Sequence, residues 1–560
     1  MIEFRHGERP LHEYLRLHAR ATPDKTAIVW YGRRISYAEL DDLSDRFAQS
    51  LRQRGLAQGD VLVLVLHNCP QFVIAHLGAQ KLGVVVSACN PHARRYELAH
   101  QFTELDVRAV VCGEDDLAAV REALPGGRAC PLYGVRPGDM LPGVLAMDVP
   151  ACMRLPGEPA RPWPDGVVDL MDELDAMPPF VPPGDLAMDE VALMACTSGT
   201  TGLPKAAMLG YDVALYKSAA TSGCWGLTAD DVLLADVPLH HISGLLAGMG
   251  VVLYIGATVV LLGRFDATAV LQAIEACRVT WWYTMAPSLE LVMGAEDAHT
   301  YDVSSLRGTA STSFGTILTR ALADRWHRFT GGAQVFEAGY GLSETHSSDV
   351  MMPADAVRWG TNGRPVPGTE VRIVDPDTGQ PRPCGAVGEI LLRGPQPFRG
   401  YWMRPEATAA MVRDGWVRTG DIGRLDEEGY LTFVGRRKEM IKVWSYSVFP
   451  EEVEAILATH PDVRQAAVVG LPDPDRGEAL QAYVVLKDPA ARQIRVDGFG
   501  RRRDRTDQVL IEWCQAHMSH YKVPRTIVFR DGLPAADNGK LLRRMLREPG
   551  FAAAPRAGGG

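Results

Sequence analysis

Thr197-Ser198-Gly199-Thr200-Thr201-Gly202-Leu203-Pro204-Lys205 follows an apolar run, Val191–Ala195, that reads as a buried strand. Glycines in such a loop let backbone N–H groups approach an anion closely, and the hydroxyls add further donors. Lys205 supplies a point charge for a phosphate oxygen. The stretch is not a Walker-type loop, because Gly202 is followed by Leu-Pro-Lys and then Ala206. A flexible Ser/Gly turn would have no reason to carry this run of hydroxyls and glycines and then end on Pro-Lys. Strand, glycine-rich loop and lysine together predict a phosphate site on an α/β fold.

Outward from this loop, helical and strand signals alternate. Leu11–Ala21 reads as an amphipathic helix, and Ser36 caps a second helix over 37–54. Strands are predicted at 27–31, 61–66, 84–87 and 107–111, with a helix over 71–82. This rhythm predicts an α/β domain with a largely parallel, layered sheet. Residues 126–183, rich in Pro, Gly and Met, read as an irregular surface excursion. Short strands at 371–374, 388–392, 416–418 and 430–434 form a small β section. A different rhythm follows: a helix at 451–459, strands at 463–470, 480–486 and 526–529, and a helix at 507–518. The expected organisation is a large N-terminal α/β domain, 1–435, a small α+β C-terminal domain, 436–550, and a disordered tail, 551–560. The run Arg501–Arg505 is placed in a loop as a solvated charged face.

Bulk properties narrow the function. The formal net charge is −10 over 560 residues, so no global basic field exists to attract nucleic acid. The ten cysteines are scattered, with no Cys-x-x-Cys pair, which suits reduced thiols in the cytoplasm. The amino terminus lacks the apolar core of a signal peptide. The uncharged stretch 242–263 is long enough to span a bilayer. Its glycines and β-branched end read better as a buried helix, a turn at Gly256-Ala257 and a buried strand.

Further motifs follow in order: Gly339-Tyr340-Gly341-Leu342-Ser343-Glu344, Trp416–Asp421, Tyr430–Lys438 and Leu533–Lys540. With the 197–205 loop, this series resembles the signature of the adenylate-forming superfamily: acyl-CoA synthetases, peptide-synthetase adenylation domains and luciferases. The resemblance runs from about Leu11 to Arg547 and is nearest to the acyl-CoA ligases. It implies activation of a carboxylic acid by ATP and Mg²⁺, with CoA as the probable acceptor of the acyl group. It also implies roles for individual residues. Tyr340 stacks on adenine, Ser343 bonds the α-phosphate and Glu344 holds Mg²⁺. Asp421 takes the ribose hydroxyls, Arg436 contacts ribose or phosphate, and Lys438 is the hinge of a mobile C-terminal domain. Lys540 is the catalytic lysine, bridging the substrate carboxylate and the α-phosphate.

Other segments touch on the acid and the acceptor. In Pro238–Gly244, His241 takes the family's histidine position and His240 replaces an aromatic residue. The two adjacent side chains are expected to point apart, as in an extended segment, so the pair is not read as a metal site. His240, Trp282, with its neighbours Trp281 and Tyr283, and Phe336 are candidates for the acyl-pocket wall. Thr312-Ser313-Phe314-Gly315 stands where the family carries Gly-Gly-Ala-Pro, and Phe314 is expected to shorten that pocket. Lys442 begins the loop expected to border the acceptor tunnel, and Ser445 replaces a glycine common in CoA ligases. A carrier-protein thiol or an amine therefore stays open as an alternative acceptor.

Overall fold

A computed structural model describes residues 2–93, 95–124, 130–153, 155, 157–158, 161–180, 186–197, 205–313, 318–396, 398–443, 446–473, 477–488, 494–496, 502–504, 506–535 and 541–548. Ser198, Gly199, Thr200, Thr201, Gly202, Phe314, Ser445, Lys540 and the tail 551–560 lie outside them.

Two seven-stranded sheets form the large part of the chain. One runs Val167–Asp169, Leu132–Val135, Val107–Gly113, Val61–Val65, Val85–Cys89, Val191–Thr197, Lys205–Gly210, parallel except for its last pair. The other runs Gln334–Glu337, Gly308–Thr312, Trp281–Met285, Val232–Ala235, Thr258–Leu261, Thr26–Trp30, Arg33–Ser36, again parallel except at its end. Their strands are near-continuous apolar runs because both faces are covered. The main core joins residues of both sheets, Leu62 and Leu64 with Leu234, Val260 and Trp282. Within it, every residue of the helix Pro70–Lys81 is buried. Its charged end is neutralised: Lys81 Nζ lies 2.5 Å from Asp41 and 2.7 Å from Asp45.

The helices Leu11–Ala21 and Tyr37–Gln53 stand where the periodicity puts them, and the Ser36 hydroxyl accepts from Glu39 N–H at 3.1 Å. The uncharged stretch is helical over 242–255, turns at Gly256 with φ 73°, and re-enters the sheet as Thr258–Leu261. Among the described residues no helix is long and apolar enough to cross a membrane.

Two expectations are corrected. Residues 126–183 are not simply an excursion, because Leu132–Val135 and Val167–Asp169 extend the first sheet and Leu170–Ala176 is a helix. These strands are too short to show a period, and side-chain contacts from elsewhere hold them: Tyr133 meets Ser50 at 2.9 Å and Arg136 stacks on Trp163 at 3.8 Å. Nor are residues 502–504 loop, since Arg502–Asp504 pairs antiparallel with Ile494–Val496.

The β section is a five-stranded antiparallel sheet in which Trp416–Leu425 is far longer than expected, because both Gly388–Arg393 and Leu431–Arg436 pair with it. The C-terminal part builds a separate five-stranded sheet from strands between Ile441 and Phe529, with its own apolar core.

Candidate active site

A cleft of about 2390 Å³ opens beside the first sheet, the β section and the start of the C-terminal part. Thr197, Lys205, His240, His241, Gly339, Tyr340, Gly341, Ser343, Glu344, Asp421, Arg436 and Lys438 all line it. Thr197 and Lys205 face each other across an antiparallel pair at the edge of the first sheet. The Lys205 ammonium sits 5.0 Å from the centre of the Tyr401 ring. The hydroxyl of that tyrosine donates to Glu344 Oε1 at 2.6 Å. The lysine thus meets the ring and the carboxylate its hydroxyl, and the two form no ion pair among the described residues.

The glycines flanking Tyr340 are sterically required. A Cβ on Gly339 would lie 2.2 Å from the Val350 carbonyl, and one on Gly341 2.5 Å from Ser348 N. This close backbone approach sets Tyr340 between Phe433, ring centres 5.9 Å apart, and Asp421, whose Oδ2 accepts the tyrosine hydroxyl at 2.8 Å. Burial and the neighbouring Asp421 charge push the Tyr340 phenol far up. Asp421 is directly opposite Arg436 in the strand register, with Nε 3.4 Å from Oδ1. Burial, with Arg436 close by, lowers the Lys438 ammonium below its ordinary range.

His240 and His241 occupy a turn closed by His241 N–H to the Pro238 carbonyl at 3.1 Å. Their rings do not point apart: the centres are 4.4 Å from each other, because the segment is a turn and not an extended strand. Among the described residues no group of three potential ligands could hold a metal. Burial drives the His240 imidazole well below its usual pKa, and neither of its ring nitrogens has a hydrogen-bond partner among the described residues. Asn68, which no motif flags, braces this turn. Its amide donates to the Val237 and Leu262 carbonyls at 3.1 and 3.2 Å and accepts from Leu239 N–H at 2.7 Å.

Of the expected acyl-wall residues, His240 and Tyr283 line the cleft, whereas Trp282 and Phe336 lie behind the wall. Trp282 turns to the opposite face of its strand, donating to the buried Asp236 at 2.7 Å and packing on Trp326. Phe336 is buried beside Trp281. Lys442 does not line the cleft; its backbone N–H donates to Glu478 at 2.7 Å. Ser313, in the 312–315 stretch, lines the site as expected, and Tyr401 and Glu337 line it without having been marked by any motif.

Glu344 also suits a magnesium ion. Its carboxylate lines the cleft, is oriented by one hydroxyl and forms no ion pair among the described residues. Mg²⁺ usually takes one or two carboxylates and completes its octahedron with phosphate oxygens and water.

A family model described as AMP-binding enzyme matches residues 15–402, and one described as AMP-binding enzyme C-terminal domain matches 452–540. The chain is 31% identical over 539 residues to a long-chain-fatty-acid–CoA ligase of Salmonella typhimurium, covering 94% of this chain and 92% of that protein. It is 32% identical over 546 residues to an indoleacetate–CoA ligase of Aromatoleum aromaticum, covering 96% and 98%. Among solved structures, a benzoate CoA ligase from Burkholderia xenovorans superposes with a TM-score of 0.81 at 25% identity, covering 97% of this chain and 100% of that one. With the motif residues gathered on one cleft, in a chain matched along most of its length, the protein belongs to the AMP-binding enzyme family, the adenylate-forming ligases, and is of the acyl-CoA ligase type.

Proposed function

We propose that the chain joins a small carboxylic acid to CoA in two half-reactions at this cleft. In the first, the acid's carboxylate attacks the α-phosphorus of ATP, forming an acyl-adenylate and releasing pyrophosphate. In the second, the CoA thiol displaces AMP. The observation that carries the reading is the convergence of Thr197, Lys205, Tyr340, Glu344, Asp421 and Arg436 on one cleft.

The residues divide the work by charge. Thr197 and Lys205, with the loop between them, hold the leaving phosphates. Tyr340 and Asp421 seat the adenosine, with Arg436 beside the ribose. Mg²⁺ at Glu344 would neutralise charge on the phosphates. Lys540 brings an ammonium to the point where two anions meet, which is the chief electrostatic obstacle of the first step. Rotation of residues 436–550 about Lys438 would then withdraw Lys540 and present the 442–446 loop to the adenylate. His241 lies beside the acid. A cytoplasmic setting fits the ten cysteines, all free.

Acid-dependent pyrophosphate release tests the first half-reaction, and silence across a broad panel of acids would sink it. The preformed adenylate is then offered CoA, a carrier protein and simple amines, and the products are weighed. A thioester with CoA supports the reading; an amide with no thioester replaces it.

A further inference from the structure

One carboxyl group on the cleft has no role in the chemistry above. Glu337 ends the strand Gln334–Glu337, two residues before the nucleotide motif, opposite Ser311 in the neighbouring strand. It lines the cleft and is half-buried. One oxygen accepts from Ser313 N–H at 3.2 Å and the other from the Ser313 hydroxyl, which itself accepts from Leu318 N–H at 3.0 Å. Each carboxylate oxygen can accept a second bond, and no described arginine, lysine or histidine forms an ion pair with it. Burial raises its pKa to about 7, against the pull of both Ser313 bonds.

Its surroundings place it toward the acid and away from the ribose. The Tyr283 hydroxyl accepts from Thr312 at 3.2 Å and also meets Ser243, on the helix that follows His241. Trp225 stacks on Tyr283 with ring centres 6.0 Å apart, and Leu246, Ala247 and Met352 contribute apolar wall. The hydroxyls of this corner are matched to one another. Glu337 keeps acceptor capacity beyond its Ser313 bonds, and an acyl group made only of carbon and hydrogen would bury it without compensation.

We propose that Glu337 is a specificity-determining residue of the acyl subsite, which takes acids bearing a hydroxyl or amino donor away from the reacting carboxylate. The proposal rests on the acyl-CoA ligase reading. A site built around a hydrogen-bonding acceptor rejects the analogue lacking the donor far more strongly than an apolar pocket rejects an added group.

The test compares matched acids that differ by one donor, such as benzoate with its hydroxy- and aminobenzoate isomers, and straight-chain alkanoates with their hydroxy derivatives. Acid-dependent pyrophosphate release by the full-length protein gives kcat/KM for each. The expected result is a preference of about tenfold or more for at least one donor-bearing member over its parent. That preference should shrink in Glu337→Gln and vanish in Glu337→Ala. Ser313→Ala controls for a purely structural role, because it removes one of the two bonds that hold the carboxyl and keeps the carboxyl. If Glu337 only anchors Ser313, all three variants lower every acid alike and the ratio stays constant, which overturns the proposal. So does a wild-type enzyme that favours the parent acids throughout, a result that needs no variant to fold. Pyrophosphate release with a flat acid profile removes this inference alone, whereas no release with any acid removes the ligase reading beneath it.

Discussion

The Tyr340 hydroxyl donates to Asp421 across 2.8 Å, joining two motifs that lie 81 positions apart in the chain. Arg436 approaches the other oxygen of the same carboxylate at 3.4 Å. Asp421 is therefore fixed before a nucleotide arrives. Tyr340→Phe should raise the KM for ATP about tenfold, the worth of one hydrogen bond to a charged group. Asp421→Ala should cost on the order of 100-fold in kcat/KM for ATP. Pyrophosphate release at varied ATP measures both. Equal, small effects would mean that the carboxylate does not hold the ribose.

Tyr401 orients Glu344 through its hydroxyl while its ring faces Lys205. Tyr401→Phe keeps the ring and removes the donor. The Mg²⁺ concentration for half-maximal activity should rise about tenfold, as for other residues that orient a metal ligand. An unchanged Mg²⁺ curve would remove Tyr401 from that role.

Asn68 makes three buried hydrogen bonds to the backbone around the His241 turn and the end of the neighbouring strand. Asn68→Ala should destabilise the fold by about 2–4 kcal/mol, since it leaves buried backbone groups unpaired. Denaturant unfolding gives the stability, and a matching rise in the KM for the acid would show that the turn has moved. A stability change below about 0.5 kcal/mol would contradict the bracing role.

Burial holds three histidines neutral in the folded chain: His12 and His76 at about 3, and His346 at about 4, against 6.5 when unfolded. The folded form binds fewer protons in this window. Their contribution is therefore complete above pH 6.5 and is lost as pH falls toward 4 for His346 and toward 3 for His12 and His76, each adding up to about 1.4 kcal/mol per pH unit to the slope. Melting temperature against pH should fall steeply over that range, and His76→Leu should flatten the curve. An identical slope in the variant would refute the assignment.

Lys540 is assigned through the resemblance of its loop to the family's catalytic-lysine segment. Lys540→Ala should lower adenylate formation by at least about 100-fold and leave CoA transfer from preformed adenylate much less affected. Single-turnover measurements of each half-reaction decide it, and the reverse pattern would overturn the role.

Much of the fold was legible locally. The helices at Leu11–Ala21 and Tyr37–Gln53 and the strands near Val61 and Val107 each carry their own period or apolar run. Leu132–Val135, Val167–Asp169 and Arg502–Asp504 do not, because strands this short owe their existence to a partner and not to propensity. The site divides in the same way. His240 and His241 could be marked as important, yet their relative orientation depended on a turn that Asn68 braces from another part of the chain.

The sequence by itself determined the chemistry. Phosphate, ribose and carboxylate must each be met by particular donors and charges, and the residues proposed for them lie in short contiguous stretches around Lys205, Tyr340, Asp421 and Lys540. Only the tertiary structure decided which neighbours tune them. In Trp281–Met285 successive side chains alternate between faces, so Tyr283 reaches the cleft and Trp282 the core. Which face holds the cleft depends on how the two sheets pack. The same packing brings Tyr401 to Glu344 and sets Glu337 on the cleft wall as the acceptor of Ser313, because contacts between residues far apart in sequence leave no local pattern to read.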